Sequence, residues 1–514
     1  MNAPAPTLTL SGKPLSFAAL ARIGAHAVTL VPDGAAMHRV ERARAVVEER
    51  IAAGYAVYGS NTGVGAMKDV AWSADELETF NLGLVRAHHF GTGVPFPNSV
   101  VRNAMAIRVN TALSGRVGCT PDLVNTYLAL LAADVVPVVR RTGSIGCADI
   151  GLMGQIGAVL TGVGEAVYQN RRLPAEKALA DAGLKPAKMP PRDSLASISV
   201  NAVGFAAAAE ATRAAAGAMR MLLATSLTTA GALGASRDPW KAVAHVGTER
   251  EAEIGGWLYR HAMGWEWPNA THVQDPLSLR MMAQVFGTAF DTLLVCGRTI
   301  LAATGRTDDN PVVVEGHVLT SGGSLPLDVT VYLETVQLAM AHAARNSFNR
   351  CVLLGNGVRR DLPINLVPPG AIATGFGPII KLAGELFARV LSMANPVSAT
   401  SLVVATGIED EAAFLPLVVE RFERQVRALR RLAALEALLS AQAMDILGDR
   451  PEGIPRMIYE RTRKYAEFYR VDRPLSAEVE AVENDLASEL TLGELISQAP
   501  IPDLDDFFAL GPVQ

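Results

Sequence analysis

The feature that most constrains the fold is the stretch VGFAAAAEATRAAAGAMRMLL, which begins at Val203. Alanine has the strongest helix preference of any residue. Charges are sparse here, so the segment predicts a long helix buried on most of its sides. Such a helix needs neighbours all round, and the rest of the chain can supply them. Val40, Ala43, Val47 and Ile51 recur at spacings of three and four, as do Val419, Phe422, Val426 and Leu429. The second set lies in a long run of Arg, Glu, Ala and Leu, all good helix formers. Alternating β-branched runs are short, and VVVEGHVL over 312–319 is the clearest hairpin. No fixed-period repeat or Pro/Ser linker divides the chain. The pattern therefore predicts one mostly α, bundle-like body over 1–514. Within it, a loop-bearing region would occupy about 1–200 and a helical bundle about 201–514. Glycine clusters at 59–65, 143–157, 321–323 and 375–377 place loops at helix ends, where functional groups tend to sit.

Composition narrows the function. The chain is 50% hydrophobic with a formal charge of -5, and no basic block is interleaved with aromatics, which argues against a nucleic-acid surface. Cys119, Cys147, Cys296 and Cys351 are far apart, show no paired metal spacing and read as reduced thiols. The start MNAPAPTLTLSGKPLS has no charged lead and no apolar h-region, so no signal peptide is expected. The apolar stretch around Phe205 to Ala235 is broken by Glu210, Arg213 and Arg220. A membrane helix needs about 20 uninterrupted apolar residues. These features predict a cytoplasmic protein with no membrane, nucleic-acid or metal partner.

Several local patterns carry chemistry, each with an ordinary alternative. YGSNTGVG, from Tyr58, sets a phenol in a mobile or tightly turned loop; a tyrosine there is most often structural. GSIGCADIG, from Gly143, precedes an apolar helical run but lacks the Lys-Ser/Thr ending of a phosphate loop. VQDPLSLR ends in Arg280, which is either a carboxylate fork or a surface ion pair. His88 sits in a helix-to-glycine transition. Glu409-Asp410-Glu411 has the look of a solvated helix start. Lys381, in GPIIKLAGELF, has apolar neighbours, and a buried lysine is rare unless paired or functional.

The order of the pieces is what makes them specific. YGSNTGVG, NLGLVRAHHFGTG, AIRVNTALSG, VVPVVRRTGSIG, VQDPLSLR, RTDDNPVV, TSGG, TGIEDE and VDRPLSAEVE follow one another as in the aromatic amino-acid ammonia-lyases. The chain resembles that superfamily from about Val40 to Glu480, and its histidine-specific branch most. The resemblance implies an α-helical homotetramer built on a long-helix bundle, with active sites shared between subunits. It also implies Tyr58 as the loop base, His88 in the ring pocket, Arg280 on the substrate carboxylate and Glu409 on the imidazole. Gln274, from the VQDPLSLR motif, and Ser199 join the substrate-contacting set.

The departures from the family carry equal weight. In the family, Ala-Ser-Gly follows GSVG and cyclises to methylidene-imidazolone. Here Cys147-Ala148-Asp149 follows Gly146, with one residue deleted. Ala148 has no β-hydroxyl to lose as water, so the exocyclic methylene has no source. Ser199 replaces an Asn, Leu277 a Tyr, Ile408 a Gln, and Ser324-Leu325-Pro326 replaces Asn-Phe-His. Three readings remain: a conventional ammonia-lyase or aminomutase, an inactive homologue that binds a ligand or acts as a scaffold, and a lyase needing no cofactor. The third agrees best with retention of Tyr58, Arg280 and Glu409 together. A trimethylammonium group has no N–H to lose and no lone pair for an electrophile to capture, and it leaves as neutral trimethylamine. The expectation is therefore a cofactor-free carbon–nitrogen lyase resembling the ergothionase branch, which turns ergothioneine, an imidazole betaine, into thiourocanate and trimethylamine. On this reading Tyr58 takes the β-proton and needs nearby positive charge or helix dipoles to favour its phenolate. Lys381 would supply that charge, or contact the carboxylate or sulfur instead.

Overall fold

The structure, a computed structural model, describes residues 5–263, 267 and 272–512. It is 59% helix and 7% strand, so the mostly α expectation holds. Four helices dominate: Ala202–Ala232, Met282–Ala303, Leu327–Gly355 and Leu415–Leu447. In the first, the alanine-rich run is buried on most sides. In the last, Val419, Phe422, Val426 and Leu429 are all buried, as their spacing requires. The chain divides into two compact units. One comprises Met1–Glu210, Arg298–Val331 and Val397–Val419; the other comprises Ala211–Gly297, Tyr332–Pro396 and Glu420–Gln514.

The first unit holds all the strands described. Thr7–Leu10 pairs in parallel with Thr29–Pro32, and Thr92–Pro95 pairs antiparallel with Arg140–Thr142. Val136–Pro137, Glu165–Tyr168 and Arg171–Pro174 form a three-stranded sheet. The predicted hairpin is present, with Val312 opposite Leu319 and Val314 opposite His317. Glu315 and Gly316 both have positive φ, 50° and 76°, as a two-residue turn matching the strand twist demands. Helix Gly34–Ala52 starts at Asp33, whose carboxylate accepts from the Ala36 N–H at 2.8 Å. Its buried face carries Val40, Ala43 and Val47, and Ala43 and Val47 pack on Val313 of the hairpin.

In the second unit, the helices are pinned by buried polar pairs as well as apolar contact. Arg350 donates to both oxygens of Glu436, at 2.6 and 3.0 Å, and neither side chain is exposed. Ser347 Oγ donates to the same carboxylate at 2.5 Å. Losing one partner of such a pair costs roughly 3–5 kcal/mol, because the other charge is left stranded. By length and composition alone, two helical segments among the described residues are apolar enough to cross a membrane, Asp193–Ala232 and Met282–Ala303. The apolar window of the first is 94% buried within the protein, as befits a core helix.

Candidate active site

The tyrosine loop is a chain of tight turns rather than an open flap. Val57 N–H donates to Asn61 Oδ1 at 2.7 Å, and Asn61 Nδ2 returns a bond to the Tyr55 carbonyl at 2.9 Å. Gly63 N–H reaches the Val70 carbonyl at 2.8 Å. Gly59 has φ 61°, and a Cβ there would strike the Leu195 side chain, so the position needs glycine on both counts. These turns leave Tyr58 half-buried, with its hydroxyl accepting from the Gly65 N–H at 2.9 Å. A short 3₁₀ turn over Gly65–Met67 follows.

Burial raises the pKa of Tyr58, the opposite of what the phenolate needs. The Gly65 N–H pulls it down, the carboxylate of Glu409 and the thiol of Cys147 push it up, and Lys68 lowers it slightly. Lys68, which sequence reasoning passed over, is thus a cation acting on the phenol.

Glu409 reaches this neighbourhood on a second turn. Val404 N–H donates to the Glu409 carbonyl at 2.9 Å, closing the loop that contains the 3₁₀ turn Ala405–Gly407. A Cβ on Gly65 would lie 3.8 Å from that of Ala405, so the two loops touch. The acidic run is not a helix start, since the following helix begins at Leu415. Asp410 and Glu411 are exposed while Glu409 is half-buried.

The third component is the 143–151 segment. Ala148 and Asp149 both have positive φ, 63° and 45°. Alanine rarely adopts that conformation, and the surroundings hold it. Ala148 N–H donates to the Ser324 carbonyl and its own carbonyl accepts from Val200 N–H, both at 3.0 Å. The carboxylate of Asp149 accepts from Ser144 Oγ at 2.8 Å and from Gly204 N–H at 2.7 Å. Burial pushes the Asp149 pKa up to about 6, against both bonds. Cys147 Sγ lies 3.4 Å from Ser324 Oγ, and burial raises its pKa. Glu409, Asp149 and Asp308 raise it further. The methylidene-imidazolone implied by the family does not fit these residues. Its source hydroxyl is missing at Ala148, and Asp149 stands where the family has the glycine whose nitrogen closes the ring.

Ser199 is buried beside this segment, one residue before the Val200 N–H that holds Ala148. Asn201 donates from both its backbone N–H and Nδ2 to Asp308 Oδ2 at 2.8 Å, and from Nδ2 to the Ser324 carbonyl at 2.8 Å. Asp308 Oδ1 is buried without a hydrogen-bond partner among the described residues. Burial and the adjacent Asp309 push the Asp308 pKa up to about 7. Sequence reasoning missed this carboxyl, although RTDDNPVV displayed it. His88 caps helix Ala74–Ala87 and donates from Nδ1 to the Leu84 carbonyl at 2.7 Å. Gly154 lets the His88 backbone approach helix Ile150–Leu160, and Gly151 lets the Phe90 ring approach the start of that helix. The first unit therefore gathers Tyr58, Glu409 and Cys147, with Ser199 and His88 flanking the same segment.

Arg280, Gln274 and Lys381 belong to the second unit. Arg280 ends the short helix Leu277–Arg280, whose backbone is held from several sides. The Leu279 carbonyl accepts from Trp240 Nε1 at 3.1 Å, the Ser278 carbonyl accepts from Arg350, and Asp275 pairs with Arg359 at 2.7 Å. The Arg280 guanidinium has no carboxylate partner among the described residues, and its Nε is buried without an acceptor. Gln274 is exposed in the preceding loop. Leu277 and Ile408 are 52% and 42% exposed, unusual for large apolar side chains.

Lys381 is exposed, contrary to the expectation of burial. Helix Gly377–Met393 buries Ile379, Ala383, Leu386 and Val390, and position 381 falls outside that row. Apolar neighbours in sequence do not bury a residue when the helical phase turns it outward.

The profile of the aromatic amino acid lyase family matches residues 15–467, and the chain belongs to that family. It is a carbon–nitrogen lyase of this superfamily. Histidine ammonia-lyase of Anaeromyxobacter sp. (strain K) is 30% identical over 499 residues, covering 93% of this chain and 97% of that one. Among solved structures, the ergothionase of Treponema denticola, bound to desmethyl-ergothioneine sulfonic acid, superimposes with a TM-score of 0.90 at 28% identity. That match covers 93% of this chain and 98% of the other. Histidine ammonia-lyase of Trypanosoma cruzi shares the fold, with a TM-score of 0.87 at 22% identity, covering 98% and 97%.

Proposed function

We propose that the protein eliminates trimethylamine from an imidazole-type amino-acid betaine, ergothioneine, giving thiourocanate without a methylidene-imidazolone. One observation carries the reading. The segment that must supply the family's electrophile reads Cys147-Ala148-Asp149, while Tyr58 and Glu409 remain together beside it. An ordinary α-ammonium loses its N–H protons before the β-carbon does, and the resulting amine is a poor leaving group. A quaternary ammonium avoids both difficulties.

In the proposed reaction Tyr58, as phenolate, removes the β-proton. The C–H electron pair becomes the new Cα–Cβ double bond, the C–N bond breaks, and trimethylamine departs with that bond's electrons. Arg280 anchors the betaine carboxylate through its two-pronged donor face. Glu409 accepts a ring N–H, His88 stands in the ring pocket, and Ser199 and Gln274 contact substrate. Leu277 and Ile408 offer apolar surface to the methylated nitrogen, which makes no hydrogen bonds. Lys381 adds positive charge near the phenolate or contacts the carboxylate in the homotetramer we propose. The large apolar side chains exposed on helix Leu327–Gly355, Tyr332 and Leu338 among them, support association of copies.

The test is direct. Purified protein is incubated with ergothioneine, trimethylamine is measured, and the conjugated product is followed in the near ultraviolet. Ergothioneine should be consumed with equal amounts of both products, and histidine should release no ammonia. Ammonia from histidine would support a conventional ammonia-lyase, and inertness towards both substrates would support a non-catalytic homologue.

A further inference from the structure

Three tripeptides of one pattern, hydroxyl residue–glycine–cation, are scattered along the chain: Ser11-Gly12-Lys13, Ser114-Gly115-Arg116 and Thr304-Gly305-Arg306. The fold brings all three to a single cavity of about 660 Å³ in the first unit, whose lining includes neither Tyr58 nor any residue of the 143–151 segment. The glycines make the convergence possible. A Cβ on Gly305 would lie 2.6 Å from Pro14 N, one on Gly12 would lie 2.9 Å from Ser114 N, and one on Gly115 would strike Arg39. Gly12 and Gly115 also have φ of 82° and 75°.

The backbones are then locked. Asn110, fully buried, accepts from Gly12 N–H at 3.0 Å and donates to the carbonyls of Lys13 and Thr304, each at 2.8 Å. The Arg116 carbonyl accepts from Val313 N–H at 2.8 Å. The cations are thereby held on a rigid frame.

Among the described residues, four positive side chains line this cavity, Lys13, Arg39, Arg116 and Arg306, and no acidic one does. Arg306 is paired with Asp328, at 2.8 and 3.1 Å. Arg39 donates to the carbonyls of Ser11 and Leu113, which fix it without neutralising it. Lys13 and Arg116 form no ion pair among the described residues. Held together, unneutralised like charges repel, and an anion among them relieves that repulsion. The guanidinium fork suits phosphate oxygens, with lysine as a supplementary point charge. Ser114, Thr307 and Ser321 add hydroxyls, and Val312 and Val314 add an apolar wall.

We propose that this cavity binds a small phosphate-bearing anion, of diphosphate to nucleotide size. A lone phosphate would fill little of it, whereas ligand pockets commonly run from about 300 to 1,000 Å³.

The proposal is tested by calorimetric titration of the full-length protein with inorganic phosphate, pyrophosphate and ATP. Each titration is compared with sodium chloride of matched ionic strength. Pyrophosphate should bind with a Kd of about 1 mM or tighter. The double variant Lys13→Ala/Arg116→Ala should weaken it at least about tenfold, by the loss of two charge-assisted contacts. Both side chains are exposed, so the melting temperature without ligand should be unchanged. Tighter binding of ATP than of pyrophosphate identifies an organic phosphate held also by the valine wall. Equal binding identifies a free polyphosphate. Absence of binding beyond the chloride control overturns the proposal, as does wild-type affinity in the double variant.

Discussion

Tyr58→Phe separates the two things the tyrosine does in this structure. The phenol accepts one hydrogen bond, from Gly65 N–H at 2.9 Å, and Phe removes the acceptor while keeping the ring. A neutral hydrogen bond contributes about 0.5–1.5 kcal/mol net, and Gly65 is only half-buried, so water can replace part of it. The stability loss should be about 1 kcal/mol, a melting shift of about 2 °C or less for a chain of this size. Loss of a positioned proton acceptor lowers turnover by at least ~10²-fold, equivalent to about 2.7 kcal/mol in the barrier. The two magnitudes differ enough to be told apart. The assay is initial-rate release of trimethylamine from ergothioneine, with circular dichroism melts of the same preparations. Burial raises the Tyr58 pKa, so its phenolate population, and with it wild-type kcat/KM, should rise with pH through 9 without levelling. The sign for stability runs the other way. A raised folded pKa gives a contribution that is complete below about 10 and lost at higher pH. A Phe variant retaining more than a tenth of wild-type kcat would refute the assignment of the base, as would one keeping the alkaline limb.

Arg280→Lys should raise KM for the betaine at least about tenfold, because a point charge replaces a two-pronged donor; unchanged KM would show that the carboxylate sits elsewhere. Glu409→Gln should also act mainly on KM, and steady-state kinetics that place the loss wholly in kcat would contradict a ring-binding role. Asp149→Asn tests the buried carboxyl whose pKa stands at about 6. Because that value lies above the ordinary ~3.9, the group's contribution is complete below about 4 and lost as pH rises through 6, by about 3 kcal/mol in all. The Asn variant should therefore gain on wild type between pH 4.5 and 7.5 in paired denaturation curves, and a constant difference would show that Asp149 is not buried as described. Intact mass should equal the sequence mass, and a double dehydration mapped to residues 143–151 would contradict the cofactor-free reading.

The helices were legible because their signal is periodic. The row from Val419 to Leu429 repeats the turn of the helix, and all its members are buried. The hairpin was legible because Glu315-Gly316 sits between two alternating runs. Lys381 was misplaced because a string of apolar neighbours was read without its phase; Ile379 and Ala383 face inward and the lysine between them does not. Asp308 escaped notice because burial of one carboxyl depends on partners distant in sequence, here Asn201 and Ser324. For the same reason the balance of charges on Tyr58 was hidden. Glu409, Cys147 and Lys68 lie in different segments, and only the folded chain brings them to one phenol.

The 143–151 segment gives the proposed chemistry its structural logic. Both oxygens of Asp149 accept hydrogen bonds, and the Ala148 amide and carbonyl are each paired. A segment tied at so many points is suited to shaping a pocket rather than reacting. If it only shapes the pocket, the leaving group must need no capture, and a quaternary nitrogen meets that condition while a primary ammonium does not. The same proposal bears on two further changes. A methylated nitrogen gains nothing from hydrogen-bond acceptors, so in the proposed reaction the apolar Leu277 and Ile408 would serve it better than the tyrosine and glutamine of the family. Restoring a serine at position 148 alone should therefore yield no ammonia-lyase. It supplies the hydroxyl but leaves Asp149 where the ring would need the freedom of glycine. Ammonia release from histidine by Ala148→Ser, with the double dehydration seen by mass, would show that the segment has kept its reactive geometry and that the lost hydroxyl was the sole barrier.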